Sequence, residues 1–268
     1  MAVDFSFKDK YNINDLLSIV HILRSPGGCP WDIKQTHETL KKDIIEETYE
    51  VVEAINRGDA DLLREELGDV LLHVVFHTDI EREKGGFNFD DVADGICKKL
   101  IVRHPHVFGD VKVGSAEEVL VNWDEIKRKT KSQQTVADSF DSVPRELPAL
   151  MRAAKIQSRA ANAGFDFDDT AGAFTKIDEE TAELKEAIAS GDRARIADEL
   201  GDLLFAAVNV ARFTGVEAEE SLTGATDKFA SRFRITEALA AEKGIDMKSS
   251  SIETLDELWD EAKKQSAK

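Results

Sequence analysis

One acidic pattern occurs twice in this chain, and the two copies lie 133 residues apart. Each copy starts with Glu-Glu-x-x-Glu and ends with Glu-Leu-Gly-Asp, and its final Asp follows its first Glu by 23 positions. Segments 44–75 and 177–208 align without a gap, and 16 of the 32 positions are identical. A repeat of this kind predicts two copies of one structural unit in a single chain.

Composition limits the classes of protein to which the chain can belong. The 268 residues carry a net charge of −18, which argues against a nucleic-acid partner because no large basic surface is available. Two cysteines provide neither a disulfide framework nor a structural zinc site. No apolar run approaches the roughly 18 residues of a membrane span, and no export signal is visible at the N-terminus. We therefore expect a soluble cytoplasmic protein without a membrane partner.

Helical periodicity extends over most of the sequence, and no strand pattern is convincing. In segment 44–55 the apolar residues fall on one helical face, and Gly58 then suits the end of that helix. Asp59 or Asp61 is placed to cap the helix that follows. Helices are predicted at 14–23, 44–55, 62–80, 89–103, 116–129, 147–161, 173–189, 194–213, 218–241 and 252–263. The predicted fold is all-α, a tandem repeat of two helical bundles, with domains at 1–130 and 147–268 and a linker at 131–146.

The acids of the first copy are predicted to share one cleft. Residues three apart lie on one helical face, so Glu47 and Glu50 project together, as do Glu66 and Asp69. Glu46 lies almost opposite the apolar face and is expected to meet solvent or a neighbouring ligand. Packing the two helices side by side would bring four carboxylates together.

Four partly desolvated carboxylates repel one another strongly, and either protonation or a cation must offset that repulsion. All-oxygen ligation suits Mg²⁺, with Mn²⁺ as a possible substitute. A di-iron carboxylate bundle is disfavoured because its Glu-x-x-His motif does not occur in the chain. The alternative is a solvated acidic surface, but two copies with identical spacing favour a metal site.

The doubled pattern resembles the MazG family of nucleoside triphosphate pyrophosphohydrolases, and the resemblance covers nearly the whole chain. Further strings shared with its two-domain members are Gly28-Cys29-Pro30-Trp31-Asp32, Arg103-His104-Pro105-His106-Val107-Phe108, Leu147-Pro148-Ala149-Leu150 and Gly201-Asp202-Leu203-Leu204-Phe205. The resemblance implies two helical-bundle MazG-like domains. It also implies Mg²⁺-dependent cleavage of nucleoside triphosphates to the monophosphate and pyrophosphate, as a means of removing unwanted nucleotides.

The resemblance also implies roles for individual residues. The metal ligands of the second copy would be Glu180, Glu183, Glu199 and Asp202, matching Glu47, Glu50, Glu66 and Asp69 of the first. Nucleotide contacts would come from Lys176 and Glu179, Arg195 and Asp198, Lys228 and Arg232, and Trp259. The general base would be Glu179 or Glu180, or the equivalent Glu46 or Glu47. The sequence does not distinguish whether these glutamates act as the base or as metal ligands.

The chemistry of the residues agrees with these implied contacts. Lys228 and Arg232 are four apart on one helix, so both can reach one polyphosphate, and Lys99 and Arg103 repeat that spacing. Trp259 could stack on a base, with Trp123 as its counterpart, although ordinary burial would also explain either indole. A homodimer is expected because small all-α pyrophosphohydrolases usually assemble from bundles. The alternative function is a helical nucleotide-binding or regulatory scaffold in which one or both halves are non-catalytic.

Overall fold

The structure, a computed structural model of the chain, describes residues 5–115, 118–119, 126 and 135–266. Every regular element within those residues is a helix, which confirms the expected all-α fold. The chain forms two compact units, Met1–Lys127 and Arg128–Lys268, each of which is described by itself. The exact domain limits expected from the sequence stay a prediction. Trp123 and most of the predicted helix 116–129 lie outside the described residues.

The first unit is built around one long helix, α3, against which α1, α2 and α4 pack. Its helices are α1 (Ile13–Arg24), α2 (Asp43–Arg57), α3 (Ala60–Glu83), α4 (Phe89–Arg103) and the single turn α5 (Pro105–Phe108). The buried core joins Val20 of α1 and Leu40 of the loop before α2 to Val75, Phe76 and Ile80 of α3. This core fixes α3 in the middle of the unit, with its Glu66 and Asp69 beside Glu47 of α2.

In the second unit, α8 and α9 form the most extensive helix pair. Its helices are α6 (Val136–Phe140), α7 (Ala149–Ala161), α8 (Thr170–Ser190), α9 (Arg193–Thr214), α10 (Ala218–Glu242) and α11 (Ile252–Ser266). Helix α7 packs against α9 and α10, while α10 pairs with α11 around a core that includes Leu239 and Leu258. The repeated sequence therefore corresponds to a repeated hairpin, α2–α3 in one unit and α8–α9 in the other.

The Gly-Asp pair of each copy forms the turn of its hairpin. Gly58 and Gly191 end α2 and α8 with φ values of 64° and 72°, in the left-handed region that a glycine adopts without strain. The side chain of Asp59 accepts hydrogen bonds from two amides at the start of α3, and Asp192 does the same for α9. Because this turn is short, the two acidic helices run antiparallel and side by side.

A histidine pair joins the loop before α2 to α3 in the first unit. The Nδ1 atoms of His37 and His77 are 2.7 Å apart, and Nε2 of His37 lies 2.6 Å from Oε1 of Glu81. Burial lowers the pKa of His77, and His37 and His73 beside it lower that pKa further. The hydrogen bond from His37 holds the pKa of Glu81 below its usual range, and Lys84 adds to the effect.

Acid is expected to weaken this contact and the first unit with it. The pKa of His77 is depressed below its usual 6.5, so the unfolded chain takes up a proton before the folded one does. Stability therefore falls as pH drops below 6.5, and Glu81 adds a further loss at lower pH. Between pH 7.5 and pH 5.5, two conditions that bracket about 6.5, the melting temperature of the His77→Gln variant should fall less than that of the unaltered chain. A His106→Gln control should keep the original slope, and equal slopes for all three proteins would contradict the assignment.

No helix of the described residues combines the length and apolar character needed to cross a membrane.

Candidate metal centres

The first acidic cluster lies between α2 and α3. Carboxylate oxygens of Glu47, Glu66 and Asp69 lie within 4.8 Å of one another. Glu50 is close enough to both Glu47 and Glu66 to raise the pKa of each. The side chain of Glu46 is exposed. The structure thus brings together the four acids that the helical spacing selected.

The second acidic cluster has the same construction between α8 and α9. Oxygens of Glu180, Glu199 and Asp202 lie within 4.8 Å of one another, as do those of Glu179, Glu180 and Glu183. Glu180 belongs to both triads and is buried, whereas Glu179 is exposed at the edge. Five carboxylates therefore surround this site, one more than the four expected as ligands.

Burial, together with neighbouring acids, raises the pKa of several carboxylates in the two clusters. Burial is the largest cause of a raised pKa at Glu66, followed by the charge of Glu50. Burial likewise raises the pKa of Glu183, and the neighbouring Glu199 raises it further. At Asp202, burial and then the charges of Glu180 and Asp198 have the same effect. Raised pKa values in closely spaced acids indicate sites whose negative charge is not fully compensated.

Glu180 shows that the second cluster suits a hard cation. Its side chain is 5% exposed, and among the described residues its buried Oε2 atom has no hydrogen-bond partner. A buried polar atom without a partner costs about 1–3 kcal/mol, and more when it is charged. A cation at the meeting point of Glu180, Glu199 and Asp202 would satisfy that oxygen. An all-carboxylate donor set fits Mg²⁺ or Mn²⁺.

The two clusters differ in the cations beside them. In the second unit, Nζ of Lys176 lies 2.9 Å from Glu179 and 2.6 Å from Glu180. Arg195 lies 3.3 Å from Glu199 and 3.4 Å from Glu186. The repeat places Asp43 and Leu62 at the corresponding positions of the first unit. At these two positions of the repeat, therefore, only the second unit has basic side chains that could bind a phosphate.

The remaining predicted nucleotide contacts lie on the α10–α11 hairpin. Lys228 and Arg232 lie on α10, and Nε of Arg232 donates a hydrogen bond to Ser266 on α11. Trp259 packs its ring against Phe229, with centroids 5.0 Å apart. Among the described residues, no hydrogen bond or ion pair joins these side chains to the acids of α8 and α9. In the first unit, Lys99 and Arg103 both lie on α4.

Two features of the second site were not predicted from the residues themselves. The pairing of Lys176 with Glu179 and Glu180 follows the three- and four-residue spacing of helical ion pairs, so a search for that spacing would have found it. The contact between Phe229 and Trp259 joins residues 30 positions apart on different helices. No local sequence pattern reports such a contact.

Comparison with known proteins agrees with the repeat. The family model described as the MazG nucleotide pyrophosphohydrolase domain matches residues 35–108 and 170–234, and each match contains one acidic helix pair. The nucleoside triphosphate pyrophosphohydrolase of Escherichia coli (strain K12) is 45% identical over 259 residues, covering 94% of this chain and 97% of that protein. The nucleoside triphosphate pyrophosphohydrolase/pyrophosphatase MazG of Thermotoga maritima is 46% identical over 249 residues, covering 93% and 94%.

A further relative is the uncharacterized protein YabN of Bacillus subtilis, which is 48% identical over 247 residues. The match covers 92% of this chain but 50% of that protein. Two family matches in one chain, each centred on an acidic hairpin, confirm the tandem arrangement expected from the repeat. The chain belongs to the MazG nucleotide pyrophosphohydrolase family, a family of hydrolases.

Proposed function

We propose that this protein hydrolyses nucleoside triphosphates to the monophosphate and pyrophosphate with the help of Mg²⁺, and that the second acidic cluster is the principal site. One observation carries the choice of site: acids and phosphate-binding cations occur together between α8 and α9. Lys176 and Arg195 contact the carboxylates there, whereas the first cluster has Asp43 and Leu62 at the same places. The names of the relatives support the substrate class.

Each cluster offers a defined set of ligands for the metal. In the second unit they are Glu180, Glu183, Glu199 and Asp202, and in the first unit Glu47, Glu50, Glu66 and Asp69. When bound, a hard dication neutralises phosphate charge and makes the α-phosphorus easier to attack. Mn²⁺ is expected to substitute, since it accepts the same oxygen ligands.

The side chains of the second cluster have complementary tasks in this proposal. The Nζ of Lys176 and the guanidinium of Arg195 bind phosphate oxygens and hold the triphosphate beside the acids. Glu179 and Glu180 are the two candidates to orient the attacking water and accept its proton, with Glu46 and Glu47 in the same positions of the first unit. Asp198, whose charge raises the pKa of Asp202, is a further predicted nucleotide contact of this cluster.

The remaining nucleotide contacts are assigned to the α10–α11 hairpin. Lys228 and Arg232 provide positive charge for the polyphosphate, and Trp259 provides a ring on which a nucleobase can stack. Removal of unwanted or aberrant nucleotides is the role we propose for the reaction.

A panel of ordinary and modified nucleoside triphosphates, assayed with Mg²⁺ for pyrophosphate, tests this function. Release of phosphate in place of pyrophosphate, or no release from any substrate, would reject it and favour a non-catalytic scaffold.

Mg²⁺ alone should stabilise the folded protein, because a ligand that binds only the folded state raises the free energy of unfolding. A ligand present at 100 times its dissociation constant stabilises the folded state by about 2.7 kcal/mol per site. We therefore expect the melting temperature to rise when MgCl₂ is added, because the cation relieves repulsion within both clusters. NaCl at equal ionic strength should have a smaller effect. An unchanged melting temperature with MgCl₂ would count against both metal sites.

We also propose that the protein is a homodimer that buries the apolar surface along the acidic hairpin of the first unit. Ile45, Tyr49 and Val52 form an exposed stripe on α2, and Leu67 and Leu71 are exposed on α3. Their equivalents on α9, Leu200 and Leu204, are exposed as well. Several large apolar side chains in one surface favour a protein interface.

The dimer proposal predicts a change of mass on disrupting that surface. Light scattering on a sizing column should give twice the chain mass for the unaltered protein. Tyr49→Glu combined with Leu71→Glu should reduce it to one chain mass, because two charges would be buried without partners. Val107→Glu, an exposed apolar residue of α5, serves as the control and should leave the mass unchanged. A monomeric unaltered protein would contradict the proposal.

A further inference from the structure

Lys176 occupies a particular position in the second acidic cluster. It lies one helical turn before Glu179 and Glu180, and its Nζ is 2.9 Å from one carboxylate and 2.6 Å from the other. Glu180 is the acid that belongs to both triads of the cluster, and its second oxygen is buried without a hydrogen-bond partner among the described residues. The ammonium therefore neutralises the most central carboxylate but leaves one of its oxygens unsatisfied.

A lysine ammonium and a divalent cation compete for such a carboxylate. The ammonium has three donors and a single positive charge, and like charges a few ångströms apart repel. The lysine stem is flexible, and the Lys176 side chain is 38% exposed, so its Nζ has room to swing away from Glu180. Phosphate oxygens of a bound nucleotide would offer that displaced Nζ new acceptors.

The first cluster has no equivalent counter-ion at this position. Asp43 replaces Lys176 in the repeat, and Leu62 replaces Arg195. A divalent cation can bind Glu47, Glu66 and Asp69 without displacing an ion pair from either position. The two halves of the chain thus share the same set of acids, but the residue one turn before them is an acid in the first half and a lysine in the second.

We infer that Lys176 is an internal counter-ion that competes with the divalent cation for Glu180, so that the second cluster binds the cation weakly by itself and more tightly together with a nucleoside triphosphate, whereas the first cluster binds it tightly by itself. The inference rests on the proposed function, because it assigns the displaced lysine to the phosphates of that substrate. Binding of cation and nucleotide at the second cluster then becomes mutually favourable.

The test is a titration of the full-length protein with Mn²⁺, with free Mn²⁺ followed by electron paramagnetic resonance. The unaltered protein should show a tighter and a weaker class of sites. Lys176→Met keeps most of the length of the side chain but removes its charge, and it should tighten the weaker class by at least about tenfold, the least expected when a unit charge beside a divalent cation is removed. Asp43→Lys should weaken the tighter class by a similar factor. Lys185→Met removes a charge from the opposite face of α8 and should change neither class.

A second arm adds an ATP analogue whose α–β bridge is a methylene group and resists hydrolysis. In the unaltered protein the analogue should tighten the weaker Mn²⁺ class several-fold, and Lys176→Met should abolish most of that gain. Unchanged or weaker Mn²⁺ binding by Lys176→Met without nucleotide would overturn the inference. Pyrophosphate release from the unaltered protein is measured separately, so absent hydrolysis would reject the proposed function while the Mn²⁺ titration still decides the role of Lys176.

Discussion

Glu180→Gln should reduce pyrophosphate release by about 100-fold or more, since even residues that only support a metal ligand often contribute 10- to 100-fold. The substitution keeps the shape of the side chain but removes the charge of the one acid that belongs to both triads of the second cluster. It also removes the carboxylate that pairs with Lys176 and carries a buried oxygen without a partner. The measurement is the initial rate of pyrophosphate formation at saturating Mg²⁺ and substrate.

The matched variant in the first unit is Glu47→Gln, which alters the same position of the repeat. It should have a smaller effect, because the first cluster lacks the counterparts of Lys176 and Arg195. Glu53→Gln, on the exposed surface of α2, controls for loss of an acid elsewhere and should leave the rate unchanged. Equal and complete loss in Glu180→Gln and Glu47→Gln would refute two independent sites of unequal activity.

Arg24→Met should destabilise the first unit by about 3–5 kcal/mol, the usual cost of removing one partner from a buried ion pair. The Arg24 side chain is 3% exposed and lies 3.3 Å from Asp79, itself 7% exposed. It also donates to the backbone oxygen of Asp32 at 2.7 Å and to Glu83 at 2.9 Å. Methionine would leave the carboxylate of Asp79 buried with Arg82 and His21 as its remaining basic neighbours, and it would release the loop that contains Asp32.

Urea unfolding followed by circular dichroism provides the measurement. Arg64→Met is the control: Arg64 also pairs with an acid on α3, but both side chains are at least 80% exposed. Its loss should cost less than about 1 kcal/mol, as for most surface ion pairs. If Arg24→Met were as mild as Arg64→Met, the buried network around Asp79 would not hold α1, the loop and α3 together.

The sequence predicted those parts of the fold that depend on neighbouring residues. Apolar periodicity identified the helices of each acidic hairpin. Gly58 and Asp59 identified the turn between α2 and α3, because Gly58 adopts the left-handed backbone and the side chain of Asp59 caps amides only two and three residues further on. Angular placement on the helix separated Glu47 and Glu50 from Glu46. Helix ends were predicted less well: α8 begins at Thr170, three residues before the predicted start, where Asp169 caps it.

Contacts between distant residues were not predictable in the same way. Arg24 meets Glu83 across 59 positions, and His37 meets His77 across 40, so neither pair leaves a periodic signal. The placement of Lys228, Arg232 and Trp259 relative to the acids depends on how α10 and α11 pack, which no spacing encodes. For that reason their roles came from the family resemblance, and those roles stay predictions.

Hydrolysis in water labelled with the heavy oxygen isotope tests the central claim most directly. The protein, Mg²⁺ and a nucleoside triphosphate are incubated in labelled water, and the masses of the products are measured by mass spectrometry. Attack at the α-phosphorus predicts one heavy oxygen in the nucleoside monophosphate and none in pyrophosphate, with the rate falling sharply in Glu180→Gln. Label in pyrophosphate, or formation of nucleoside diphosphate and phosphate, would contradict cleavage at the α-phosphorus by the second acidic cluster.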